Sequence, residues 1–155
     1  LAQRSLSMIA KNCKGCMPKA NNFFPQDEKL LHGCEEVLER LYQYIEKQEL
    51  HTALTEIFSL ISQTNSYFAH EQPWQLRKSD QKRFETVLYV TLEVLRRCGV
   101  MLLCFMPQSA KKLLFLLGVE DKEENYQLTA VKSKTLRAGA VLPPPEIIFP
   151  RYLEE

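Results

Sequence analysis

"DQKRFETVLYVTLEVLRRCGVMLLC", residues 80–104, decides how this chain folds. Phe84, Leu88, Leu92 and Leu95 recur at steps of three and four, which puts them on one face of a helix. From Cys98 onward the polar residues stop. A helix that is apolar on every side has to be buried on every side, so this stretch predicts a helix enclosed by other helices. The apolar run Cys98 to Met106 is also far shorter than the roughly 20 residues that span a bilayer. No membrane partner is expected.

Helical periods continue in both directions. Residues 2–13 place Ala2, Leu6, Ile9 and Cys13 on one side and Arg4, Ser7 and Lys11 on another. Gly15, Pro18 and Pro25 break the pattern into a loop. A second helix runs from Asp27 to about Lys47 through Leu30, Cys34, Leu38, Leu41 and Ile45, with Asp27 and Glu28 suited to its positive end. After a short turn a third runs to about Phe68 through Leu50, Leu54, Ile57, Ile61 and Thr64. Pro73 should end it, and Ser79 can cap the helix that begins at Asp80. A fifth, short helix opens at Pro107 and stops at Gly118. The expected fold is all-α: an antiparallel bundle over residues 1–118. The tail, residues 119–155, has no sustained period. Pro143 to Pro145 should hold it extended across the bundle, anchored by Ile147, Ile148 and Phe149.

A chain of 155 residues with 45% hydrophobic and 25% charged residues suits one globular domain. Five cysteines and no visible leader favour a reducing compartment over a disulfide framework. Leu1 begins in mid-pattern, as in a fragment of a longer protein. The net charge of +1 hides an uneven spread: bases and no acid in residues 1–20, then eight acids against three bases in residues 21–60. Bases return in residues 61–100 as Arg77, Lys78, Lys82, Arg83, Arg96 and Arg97. The two basic segments can either meet in the fold and face a polyanion, or serve as ordinary solvated helix faces.

Nothing in the chain reads as catalytic. There is no glycine-rich phosphate loop and no metal-protease helix. His32, His51 and His70 lack partners at telling spacings and read as surface or half-buried residues. Cys13 and Cys16 have metal-like spacing, but structural zinc takes four ligands and no second pair follows. Cys34, Cys98 and Cys104 read as core. No metal or cofactor is expected within these residues.

"NSYFAHEQPWQLRK", residues 65–78, holds the only tryptophan, directly behind Pro73. A stiffened indole beside Arg77 and Lys78 can stack an unpaired base while the cations hold phosphates. It can equally fold back and plug the end of the bundle. The residues leave both readings open.

This segment resembles the part of methionyl-tRNA synthetases where an asparagine and a tyrosine close one helix and a proline–tryptophan pair follows. The tail "LPPPEIIFPRYLEE" resembles the close of those enzymes' core, and "RSLSMIAKN" is similar to the first helix of their anticodon-binding domain. The resemblance implies a helical anticodon-binding bundle of the class I synthetases that reads the CAU loop of methionine tRNA. Trp74 would stack on anticodon bases, and Arg4, Ser7 and Lys11 would face them. Many bacterial members have asparagine and arginine where this chain has Ser7 and Lys11, so the hydrogen-bond pattern departs from theirs. Asn65, Tyr67 and Pro73 would position the loop, and Arg77 and Lys78 would touch phosphate. The family's catalytic Rossmann domain, with its HIGH and KMSKS signatures, would lie upstream and carry the ATP and magnesium chemistry. The parent would be a monomeric ligase, in the mitochondrial matrix or otherwise the cytoplasm. The competing readings are a helical protein-interaction domain using the acidic second helix, and the anticodon domain of another class I synthetase.

Overall fold

The computed structural model describes residues 1–149, so the end of "FPRYLEE", from Pro150 on, lies outside the described residues. The order is α1 (Ala2–Asn12), α2 (Pro25–Glu46), α3 (Leu50–Glu71), α4 (Pro73–Ser79), α5 (Gln81–Leu102), α6 (Pro107–Leu116) and α7 (Ala130–Ser133), with a 3₁₀ turn at Glu123–Asn125. The chain is all-α, and the five expected helices are α1, α2, α3, α5 and α6. No helix among the described residues is long and apolar enough to cross a membrane.

α5 is the axis, with eighteen of its 22 residues buried. It carries two apolar faces rather than the one read from the sequence. Val87, Val90, Val94, Cys98 and Met101 pack with Leu30, Cys34, Val37, Leu38 and Leu41 of α2 and Ala53, Ile57 and Leu60 of α3. Phe84, Leu88, Leu92 and Leu95 pack on the other side with Leu6 and Ile9 of α1, Phe68 of α3 and Leu113 and Leu116 of α6. Gly99 lets α6 press close, since a Cβ there would lie 3.1 Å from Leu114 Cδ2. α6 ends as the sequence predicts. Gly118 is left-handed at φ +75°, and the Val119 and Gly118 amides donate to the Leu114 and Phe115 carbonyls at 3.0 and 2.9 Å.

Several expectations need correction. Pro73 does stop α3, but its fixed φ also starts α4 at the first helical position. The cap of α5 is Asp80, whose carboxylate accepts from the Arg83 amide at 3.0 Å; the Ser79 hydroxyl instead donates back to the Gln75 carbonyl. Cys104 falls past the end of α5 and is exposed, unlike the fully buried Cys34 and Cys98. The tail is not extended throughout, because α7 and the 3₁₀ turn interrupt it. Nor do its predicted anchors all hold: Ile147 and Phe149 are 52% and 68% exposed, and only Ile148 packs partly against the core. Leu136 and Leu142 are buried in their place.

A buried charge fixes the tail instead. Glu93, in mid-α5, accepts from Arg96, Arg97 and the Leu136 amide, at 2.7–3.0 Å. Arg96 reaches on to the carbonyls of Ala130 and Lys134 at 3.0 and 2.6 Å, and Arg97 to that of Leu31 at 3.0 Å. Planar guanidinium forks suit such convergent acceptors. Arg83, Arg96 and Arg97 are therefore internal, and half of the second basic segment never reaches the surface.

Candidate nucleic-acid interface

The polar face of α1 meets α4 across an open groove of about 440 Å³, lined by Gln3, Arg4, Ser7, Met8, Lys11, Asn12 and Arg77. The spacing of Arg4, Ser7 and Lys11 keeps them on one face while Leu6 and Ile9 bury the other. Arg77 Nη1 donates to Asn12 Oδ1 at 3.2 Å and joins the two helices. Of the two basic segments, Arg4 and Lys11 from the first and Arg77 from the second come together here.

Trp74 stands on the second residue of α4, just after Pro73, and is 42% exposed. Its ring lies 6.4 Å, centroid to centroid, from that of fully buried Phe68, tilted by 60°. Arg4 places its guanidinium 5.8 Å from the same Phe68 ring. Phe68 thus seats the indole and the first cation of the groove together. The indole stands beside the core at Phe68 but is not part of either buried cluster.

Beneath the α3–α4 joint is a buried network. Tyr67 donates to Asp27 Oδ1 at 2.6 Å, and the Phe24 amide donates to Asp27 Oδ2 at 2.8 Å. Arg83 spans Asp27 on one edge and Glu71 on the other. Burial opposes the Asp27 charge, but the hydrogen bonds from Arg83, Phe24 and Tyr67 outweigh it and hold the carboxyl below its ordinary range. Burial first, and then the Asp27 carboxylate, push the Tyr67 phenol well up, so it stays a donor. Arg83 stays charged, because its two carboxylates outweigh the desolvation that opposes it.

A family described as "Anticodon binding domain of methionyl tRNA ligase" matches residues 17–155. The chain belongs to that family. The methionine–tRNA ligase of Brucella suis is 47% identical over 154 residues, covering 99% of this chain and 30% of that protein. That of Mycobacterium leprae is 44% identical over 98% of this chain and 28% of the relative. The apo crystal structure of Mycobacterium tuberculosis methionyl-tRNA synthetase superposes with a TM-score of 0.92 at 42% identity, covering 99% of this chain and 31% of that one. The chain spans about a third of the length of these relatives.

Within this anticodon-binding domain the other predicted residues fall unevenly. Tyr67 and Pro73 lie near the α3–α4 joint, Tyr67 in the Asp27 network and Pro73 at the start of α4. Asn65 is exposed on the flank of α3, and its side chain makes no hydrogen bond among the described residues. Lys78 is exposed on α4 but does not line the groove. Cys13 and Cys16 are half-buried free thiols. Burial, followed by Glu85 and Cys16, pushes the Cys13 thiol up to about 11, which leaves it protonated at neutral pH and a poor ligand. Among the described residues no three His, Cys, Asp or Glu side chains group as a metal site would need. Sequence reasoning missed Phe68 as the seat of Trp74, although its place on the α3 stripe was visible. It also missed the Asp27–Arg83–Glu71 network, for which no local pattern exists.

Proposed function

We propose that this domain reads the CAU anticodon loop of methionine tRNA for a full-length methionine–tRNA ligase. One observation carries the reading: a half-exposed indole on a proline-started helix, seated on Phe68 beside a groove with three cations. Unpaired bases offer flat faces to such an indole, and the loop's phosphates suit Arg4, Lys11 and Arg77. Ser7 adds a short hydroxyl that can meet a base edge. ATP and its magnesium ion belong to a catalytic domain outside these residues, where amino-acid activation takes place.

The test is made in the full-length enzyme with Trp74→Ala and Trp74→Phe. The alanine variant should weaken use of tRNA by about 1–3 kcal/mol, the worth of one base stacked on an aromatic. Methionine-dependent pyrophosphate exchange should be unchanged, and phenylalanine should recover part of the loss. Melting is measured alongside. An unstable alanine variant whose folded fraction charges tRNA normally would make Trp74 a packing residue and defeat the proposal.

A further inference from the structure

We infer that Glu71 and Arg83, backed by Asp27, are positioning residues for tRNA recognition, closing the chain around α4 so that Trp74 is presented at one angle. This rests on the anticodon-reading role proposed above. Glu71 is the last residue of α3, and Arg83 lies in the first turn of α5. Everything between them is α4 and its two joints. The Arg83 Nε and Nη2 groups donate to Glu71 Oε2 at 3.0 and 2.8 Å, and the side chains are only 6% and 9% exposed. The pair therefore bridges the two ends of the segment that carries the indole.

Two further features point the same way. Gln72, between Glu71 and Pro73, is left-handed at φ 49° and ψ 60°, an uncommon and mildly unfavourable conformation for a non-glycine residue. Arg83 cannot swing to follow a moving Glu71. Its Nη2 also donates to Asp27 Oδ1 at 2.8 Å, Asp27 is fully buried, and the Phe24 ring lies 4.2 Å from the guanidinium. An apolar filling of the same volume would often stabilise a fold as well as a buried ion network does. What a planar fork between two carboxylates adds is direction. α4 itself is short, at seven residues, and contributes only Pro73 to the buried set. Leu76 packs on the core and Arg77 ties α4 to Asn12 of α1, and the Glu71–Arg83 closure is what joins the two ends of the segment.

The experiment uses the full-length enzyme labelled with fluorotryptophan, with the Trp74 line assigned as the one missing from Trp74→Phe. Glu71→Gln removes one charge and keeps the shape; Arg83→Lys keeps the charge and loses the fork. Both should shift or broaden the Trp74 line. Both should raise the KM for a CAU-anticodon tRNA transcript roughly 5- to 10-fold, the lower part of what one base stack is worth. The kcat for charging and the methionine-dependent exchange should stay constant. If Glu71→Gln lowers the melting temperature while the Trp74 line and the KM stay put, the network is only structural and the inference fails. A moved line with an unchanged KM also overturns it. Should Glu71→Gln fail to fold, Arg83→Lys decides by the same readouts. Failure of the anticodon reading itself is separate: Trp74→Ala would then leave the KM unchanged.

Discussion

Asp27 shows how differently one residue reads in sequence and in space. In the sequence it is an acid in the first turn of α2, favourable there because of the helix dipole. In the fold it is fully buried and accepts from Arg83, Tyr67 and the Phe24 amide. Its partner Arg83 stands 56 positions away, and no local spacing announces such a pair. By contrast Arg4, Ser7 and Lys11 were legible as a face because their relation is local and follows from helical geometry. Trp74 was half legible: its isolation behind Pro73 marked it, but its seat on Phe68 depends on how α3 and α4 meet. The Asp27 pairing has a pH signature. Because its folded pKa is depressed, its stabilisation is complete above the ordinary carboxyl value of 3.8 and disappears as pH falls through the folded pKa. Asp27→Ala should cost about 3–5 kcal/mol at neutral pH, since it strands part of Arg83 in the interior. That deficit should narrow below the ordinary value, where wild type loses the same pairing. Urea unfolding across pH measures it, and a deficit constant down to strong acid would show that packing, not charge, is what is lost.

At the scale of elements, the apolar stretch of α5 announced its own burial, and the other long helices followed from their periods. The signals that misled were punctuation marks with two meanings. A proline ends a helix, yet it is also the favoured first residue of the next, and at Pro73 both hold. The second apolar face of α5, from Val87 to Met101, was hidden because a helix buried on two sides has no single period to detect. That the tail lies on the bundle was legible, but most of what anchors it was not. Glu93 and Arg96 hold its backbone, and backbone donors and acceptors leave no trace in side-chain pattern. The joint between α6 and the tail makes a prediction of its own. Gly118 is left-handed, and a Cβ there would fall 2.9 Å from Leu142 Cδ2 on the tail. Gly118→Ala should cost about 1–2 kcal/mol from backbone strain alone. Leu142→Ala in the same chain should relieve the contact but not the strain. A melting temperature for Gly118→Ala equal to wild type would mean that the joint adopts another conformation.

Over the whole molecule, charge does not work through its sum. A net charge of +1 gives the domain little general attraction for a polyanion. What remains after folding is local. Arg83, Arg96 and Arg97 are spent inside, Lys132 and Lys134 are paired with Glu39 and Glu124, and the α1–α4 groove keeps Arg4, Lys11 and Arg77 at the surface. The packing of α1 and α4 against α5 makes that concentration possible, because it brings Arg77 beside Arg4 and Lys11 across the acidic segment that separates them in sequence. Binding of methionine tRNA to the full-length enzyme should show it in salt dependence. Each phosphate contact adds roughly 0.7–0.9 to the slope of log K against log salt. Replacing Arg4, Lys11 and Arg77 together by glutamine should therefore reduce the slope by roughly 2–3. Replacing Lys122, Lys132 and Lys134 removes the same charge from the tail and should leave the slope where it was. Equal falls from both sets would mean that tRNA senses only overall charge, and the α1–α4 groove would lose its standing as the place where the nucleic acid lies.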